Sequence, residues 1–294
     1  MEMNREEIIA WLLEDDPAIQ YQTRRDLLHE DPAVLSDLKN RIAEAGWGRA
    51  FLKRQQPDGH WGRAFYQPKW TSSHYTLVDL RNLCIPTTPE IKKALALILA
   101  TSIGPDGGIN PSKDIEQSDV CINGMFLNYG CYFGTDEEKL RSVVDFIVSQ
   151  QLADGGFNCR LNRSGARHSS MHSTISVLEG IREYIAAGYA FRAEELKRIE
   201  GEAQEFLLRH RLFKSDHTGA VIHPSFLKLV YPPRWRYDIL RALDYFQSVG
   251  YPYDERLQDA LDILKEKRLS DGRWKTQAHH PGEVHFQMEQ AGKP

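Results

Sequence analysis

Asp119, Val120 and Cys121 place a carboxylate and a thiol two residues apart, where a charged loop gives way to the apolar stretch INGMFLNYG (122–130). Zinc takes both groups as ligands, and a helix N-terminus favours the thiolate by lowering a cysteine's pKa. The same pair has a plainer use, with the aspartate capping its helix and the cysteine packing. His172 opens a second stretch of small and apolar residues, SSMHSTISVLEGI (169–181). Which chemistry applies depends on the elements that hold these side chains.

Those elements repeat. QQPDGHW (55–61), GPDGGI (104–109), QQLADGGF (150–157) and LSDGRW (269–274) share an Asp-Gly turn followed by an apolar or aromatic residue, and DHTGAV (216–221) is a degenerate copy. Asp58, Asp106 and Asp154 are evenly spaced, and the gap to Asp271 leaves room for two units. Glycine supplies the positive φ of the turn, and the aspartate bonds nearby amides. The Gln and the Trp or Phe are expected to brace one hairpin against the next.

Helical periodicity with charges between apolar residues precedes the turns, as in 90–101, 137–151, 193–212 and 254–267. Less charged helices follow, over 72–82, 118–129, 170–184 and 235–246. Segments 6–13 and 18–29 read as a first pair. A helix apolar nearly all round must be covered on every side, so the second set is inner and the first outer. The expected fold is all-α, a single α/α toroid domain over 1–294, with five inner helices and six outer ones. The last inner helix is missing: Ala291-Gly292-Lys293-Pro294 resembles the approach to one with nothing after it. Either the chain is truncated or the barrel is open at one seam.

Aligning the inner helices on Leu80, Leu127, Leu178 and Leu243 sets His74, Cys121, His172 and Tyr237 at equivalent depth, a ring near one mouth. His74 and Tyr237 are candidate substrate contacts, or polar groups hydrogen-bonded in the core. Loops ahead of the inner helices carry Arg63, Lys69, Lys113, Arg160, Arg163, Arg167, Lys228, Arg234 and Arg236, against Asp114, Glu116 and Asp119. Trp70, Tyr75, Phe126, Trp235 and Tyr237 lie near them. A basic rim on an apolar cavity would attract an amphipathic anion; solvated arginines and packing aromatics are the alternative.

The Q-x-x-D-G-x-W/F repeats resemble the QW motifs of the terpenoid cyclase and protein prenyltransferase superfamily, over roughly residues 45–290. In prenyltransferase β subunits, a DGG turn leads to Asp-x-Cys at an inner helix, and the next repeat adds a His. The resemblance therefore implies Asp119, Cys121 and His172 as ligands of a zinc ion that binds a substrate thiolate. It makes Lys113, Arg167, Arg234 and Trp235, with His74 and Tyr237, candidate contacts for a small apolar or isoprenoid-like ligand. Departures are clear. Glu116 stands where the family has a diphosphate-binding Lys, and Ile122 where a Tyr follows the Cys. D-V-C-I (119–122) lacks the D-x-D-D acid of squalene-hopene-type cyclases. A non-catalytic binding scaffold, with a structural metal or none, is the alternative to a zinc-dependent transferase.

Bulk properties bound the rest. The chain is 41% apolar and 27% charged, with net charge −4, mean hydropathy −0.50 and pI near 6.3. These values argue for a soluble protein and against nucleic acid as a partner. The longest apolar runs, such as 94–100, fall short of a membrane span. The opening MEMNREEIIAWLL, with acidic residues ahead of a short apolar run, is unlike a secretory signal. Four cysteines without C-x-x-C spacing read as reduced thiols of a cytoplasmic protein, with Cys84 and Cys131 as packing residues.

Overall fold

The computed structural model describes residues 4–112, 115–159, 164–277 and 280–288. Among them it is all-helical: twelve α-helices, short 3-10 and π turns, and no strand beyond isolated bridges. The helices are α1 (Arg5–Leu13), α2 (Pro17–Gln22), α3 (Ser36–Glu44), α4 (Gly46–Leu52), α5 (Ser73–Asn82), α6 (Pro89–Thr101), α7 (Val120–Tyr132), α8 (Glu137–Ser149), α9 (Met171–Ala186), α10 (Ala193–Arg209), α11 (Ile239–Ser248) and α12 (Gln258–Lys267). No helix among the described residues is long and apolar enough to cross a membrane. The chain divides into two compact units, one formed by 1–97, 268–275 and 281–294, the other by 98–267 and 276–280.

Most predicted segments are found, with differences at their ends. The expected 193–212 helix stops at Arg209, because Arg211 and Leu212 turn left-handed at φ 44 and 66. The expected 235–246 helix begins only at Ile239. Arg234 at φ 59 cannot start a right-handed turn, and the Asp238 carboxylate caps the helix by accepting from the Arg241 amide at 2.9 Å. Segment 18–29 is α2 followed by a π turn over Thr23–Leu27.

The Asp-Gly turns are one device repeated. The N–H of Gln56, Gly104, Leu152 and Leu269 donates to the carbonyl four residues on, at 2.7 to 3.0 Å. The turn glycine then donates back three residues, with φ between 82 and 98 at Gly59, Gly107, Gly155 and Gly272. Such φ values are open to glycine and costly for other residues. The degenerate copy carries one extra residue, so Ser215 donates to Ala220 instead. Bridges Ile103–Ile109, Lys214–Val221 and Arg268–Trp274 flank three of the turns.

In the first unit, Gln55 ties its turn to the next helix by donating to the carbonyls of Gly59 at 3.0 Å and Glu90 at 2.8 Å. Trp61, fully buried, donates to the Phe51 carbonyl at 2.8 Å. Helix α5 is buried along most of its length. Residues 281–288 pack against this unit: Trp70 donates to the Pro281 carbonyl at 2.7 Å, and Thr76 meets His285 at 2.9 Å.

The second unit holds α7 to α12. Helix α7 is buried on nearly all sides, whereas α8 and α10 bury one face through Leu140, Val143, Val144 and Ile147, and through Leu196, Ile199, Ala203, Phe206 and Leu207. Helices α7 and α9 run parallel, because their contacts advance together: Gly124 lies on Ser176, and Asn128 donates to the Glu179 carbonyl at 2.8 Å. A Cβ on Gly124 would stand 2.5 Å from the Ser176 carbonyl oxygen, and one on Gly180 would meet the Gly124 carbonyl. Helix α11 is parallel to α9 in the same way, with Tyr237 beside His172 and Arg241 beside Ser176.

Candidate functional site

The turns fix where α7 and α9 begin. Asp106 accepts from both the Ser118 amide and hydroxyl at 2.7 Å, and also from the Gly108 amide at 3.2 Å. Asp154 repeats this, accepting from the Ser169 amide at 2.8 Å and from the Ser169 hydroxyl. The aspartates thus reach past their own turn to the start of the next helix. A second clamp comes from inside each helix. Asn123 accepts from the Ile109 amide at 2.6 Å, and Thr174 from the Phe157 amide at 3.0 Å. Asp119-Val120-Cys121 and His172-Ser173 are held between these clamps.

Cys121 lies at the first turn of α7, and its neighbour is a cysteine, Cys159. The Cys121 amide donates to the Cys159 sulfur at 3.2 Å, and the Ser173 hydroxyl donates to the same sulfur at 3.3 Å. The Cys159 amide in turn donates to the Ser173 hydroxyl oxygen at 3.1 Å. The Cys121 thiol donates to Cys159 and is pushed well above its ordinary value by that bond, by burial, and by the charges of Cys159 and Asp119. Cys159 moves the other way, lowered by the bonds from Cys121, Ser173 and the Cys121 amide.

Asp119 occupies the N-cap position of α7 in extended conformation (φ −88, ψ 119), but its side chain makes no capping bond to the helix amides. It is half-buried, and its charge disfavours a thiolate at either Cys121 or Cys159.

His172 faces another way. Its Nδ1 accepts from the Tyr237 amide at 2.8 Å, which puts the proton of the neutral ring on Nε2. The ring meets Phe226 and Trp235 edge-on, with centroids 5.4 and 5.0 Å away. Burial first, then the charges of Arg241, Arg236, His223 and His280, push its pKa down to about 4. Arg241 grips Glu179 through two bonds of 2.7 and 2.6 Å, and reaches Ser176 at 3.3 Å. Arg236 lies over the Trp235 ring at 4.9 Å.

The other expected residues are placed as follows. Tyr237 is buried and donates from its hydroxyl to the Leu212 carbonyl at 2.5 Å, which turns its phenol into the core. Trp235 is half-buried, Arg234 buried and Arg167 exposed. Lys113, Asp114, Arg160 and Arg163 lie outside the described residues. His74 belongs to the first unit and is fully buried among Phe65, Tyr66 and Tyr75 at centroid distances of 5.5, 5.4 and 4.8 Å. Burial and the charge of Lys69 lower its pKa to about 3, so it is a neutral core histidine.

Cys121 is thus brought against Cys159. His172 Nδ1 is engaged by Tyr237. Among the described residues, no three His, Cys, Asp or Glu side chains stand in a metal-holding group. Sequence reasoning did not assign Cys159, Ser173, Glu179 or Arg241. The available signal for Cys159 was its place two residues past Phe157, in the loop that returns to the helix bearing His172.

No protein-family model matches the chain, and no curated protein matches its sequence.

Proposed function

We propose that the chain is an α/α toroid of the terpenoid cyclase and prenyltransferase kind, with a zinc centre at the start of α7 that handles a thiol or an isoprenoid-like substrate. Support for the fold comes from the parallel helices α7, α9 and α11, and from a repeated turn that clamps each successive helix. The observation that carries the function is the contact of Cys121, two residues on from the carboxylate of Asp119, with a second sulfur, that of Cys159. Thiolate and carboxylate are a donor set that zinc takes. As placed, His172 does not fit that role, because the Nδ1 lone pair is taken and Nε2 carries the proton.

Asp119 and Cys121 would hold the metal in this reading, and when bound it supplies a Lewis acid that lowers the pKa of a coordinated thiol or water. The chain's own residues do the rest. Phe226 and Trp235 give an apolar wall beside His172. The Nε2–H of His172 is a neutral donor, and Arg236 on the Trp235 face supplies positive charge for an anionic group. Glu116, exposed, and Ile122, buried, leave the diphosphate contacts of prenyltransferases incomplete.

Metal analysis of the purified chain with Cys121→Ser alongside, followed by turnover assays with prenyl diphosphates and thiol acceptors, tests this reading. Stoichiometric zinc lost in the variant, with metal-dependent turnover, supports it; a metal-free, inactive protein removes it. The engagement of His172 by the Tyr237 amide favours a second reading, a non-catalytic binding scaffold. Bound zinc without any turnover would select that one.

A further inference from the structure

We infer that Cys121 and Cys159 are a modification site, a dithiol that a small-molecule disulfide such as oxidised glutathione converts to an intramolecular disulfide. Three observations carry this. The Cys159 sulfur accepts from the Cys121 amide at 3.2 Å, and the Cys121 thiol donates to the same sulfur. The two sulfurs are therefore neighbours, and a disulfide forms without backbone movement only between cysteines brought this close. The Ser173 hydroxyl donates to the Cys159 sulfur at 3.3 Å while accepting from the Cys159 amide at 3.1 Å, which holds that side chain toward α7. Cys121 and Cys159 are also half-buried, whereas Cys84 and Cys131 are buried, and oxidation of a cysteine follows access to it.

The chemistry is thiol–disulfide exchange in two steps. One thiol of the pair attacks the reagent's disulfide, forming a mixed disulfide and releasing one small thiol. The other cysteine then attacks the mixed disulfide, forms the Cys121–Cys159 bond and releases the second small thiol. Each cysteine gives up one electron and one proton; the reagent takes up the two electrons and two protons and leaves as two thiols. The new bond fixes the start of α7 to the loop ahead of α9. It also withdraws the Cys121 sulfur that the zinc reading uses, although no metal is needed for the exchange itself. In a reducing compartment such a bond is transient and reports the redox state.

Equilibration in glutathione buffers tests this without reference to activity or metal. The full chain is reduced, stripped of metal by a chelator and held without air at increasing shares of oxidised glutathione. Remaining thiols are then trapped with N-ethylmaleimide, counted by intact mass and located by proteolysis without reductant. Free thiols should fall from four to two, with a Cys121–Cys159 linked peptide, no cross-linked chains on a non-reducing gel, and full recovery in dithiothreitol. Cys121→Ser and Cys159→Ser should each yield no internal disulfide, with far-ultraviolet circular dichroism as the fold control. The linked peptide in the parent decides the matter even if a variant does not fold. Four free thiols throughout, a lasting glutathione adduct without the linked peptide, or a link to Cys84 or Cys131 overturns the inference. Each of these results leaves the zinc reading to its own metal analysis, so the two can fail separately.

Discussion

The main-chain N–H of Cys121 donates to the sulfur of Cys159 at 3.2 Å, joining residues 38 apart in sequence. The bond ties the first turn of α7 to the loop ahead of α9, and Ser173 closes the link from the α9 side. Its geometry depends on α7 and α9 lying unusually close, and that depends on two glycines.

Gly180→Ala should therefore destabilise the protein, since its new methyl would meet the Gly124 carbonyl. Gly124→Ala should do the same against the Ser176 carbonyl. Backbone cannot rotate out of the way as a side chain can, so each substitution should cost about 1–3 kcal/mol. Urea unfolding measures it. An alanine at either site that leaves the midpoint unchanged would mean that the helices are not this close.

Asp154→Ala removes the acceptor for both the amide and the hydroxyl of Ser169. The expected loss is about 1–3 kcal/mol, with Asp154→Asn costing less because it keeps one acceptor oxygen. Asp154→Ala and Ser169→Ala should be non-additive, since each breaks the same hydroxyl contact. Additive losses in a double-mutant cycle would show that the two residues do not act as a clamp.

Asp238 gives a pH signature. Burial raises its carboxyl from 3.8 to about 6, against the pull of the Arg241 amide and charge. Between those values the folded chain keeps a proton that the unfolded chain has released, so stability falls as pH rises through the window. Asp238→Asn retains a capping oxygen without the titration. From pH 4 to 6 the parent should lose on the order of 2 kcal/mol relative to the variant. Parallel pH curves would rule out the raised carboxyl.

The outer helices were legible because one-sided burial writes a 3.6-residue period into α8 and α10. The Asp-Gly turns were legible because their glycines need positive φ, and even the degenerate copy at Gly219 forms a turn. The ends of helices were less so. Arg234 and Leu212 adopt left-handed φ that their residue types do not advertise, which moved the start of α11 past Trp235 and Tyr237 and ended α10 early. Helices α3 and α4 were not bounded in advance. At the site, Asp119 and Cys121 stood out through their spacing at a helix start. Cys159 did not, because a loop residue has no periodicity, and its place is set by Ser173, a tertiary contact. His74 and Tyr237, aligned with Cys121 and His172 on the leucines, are both buried, a depth that the alignment alone did not give.

Zinc stoichiometry by elemental analysis of the purified chain, with and without Cys121→Ser, tests the central claim most directly. One zinc per chain is expected in the parent, with a loss of at least tenfold in metal affinity in the variant. A parent chain that carries no zinc and takes none up from a zinc buffer would contradict it.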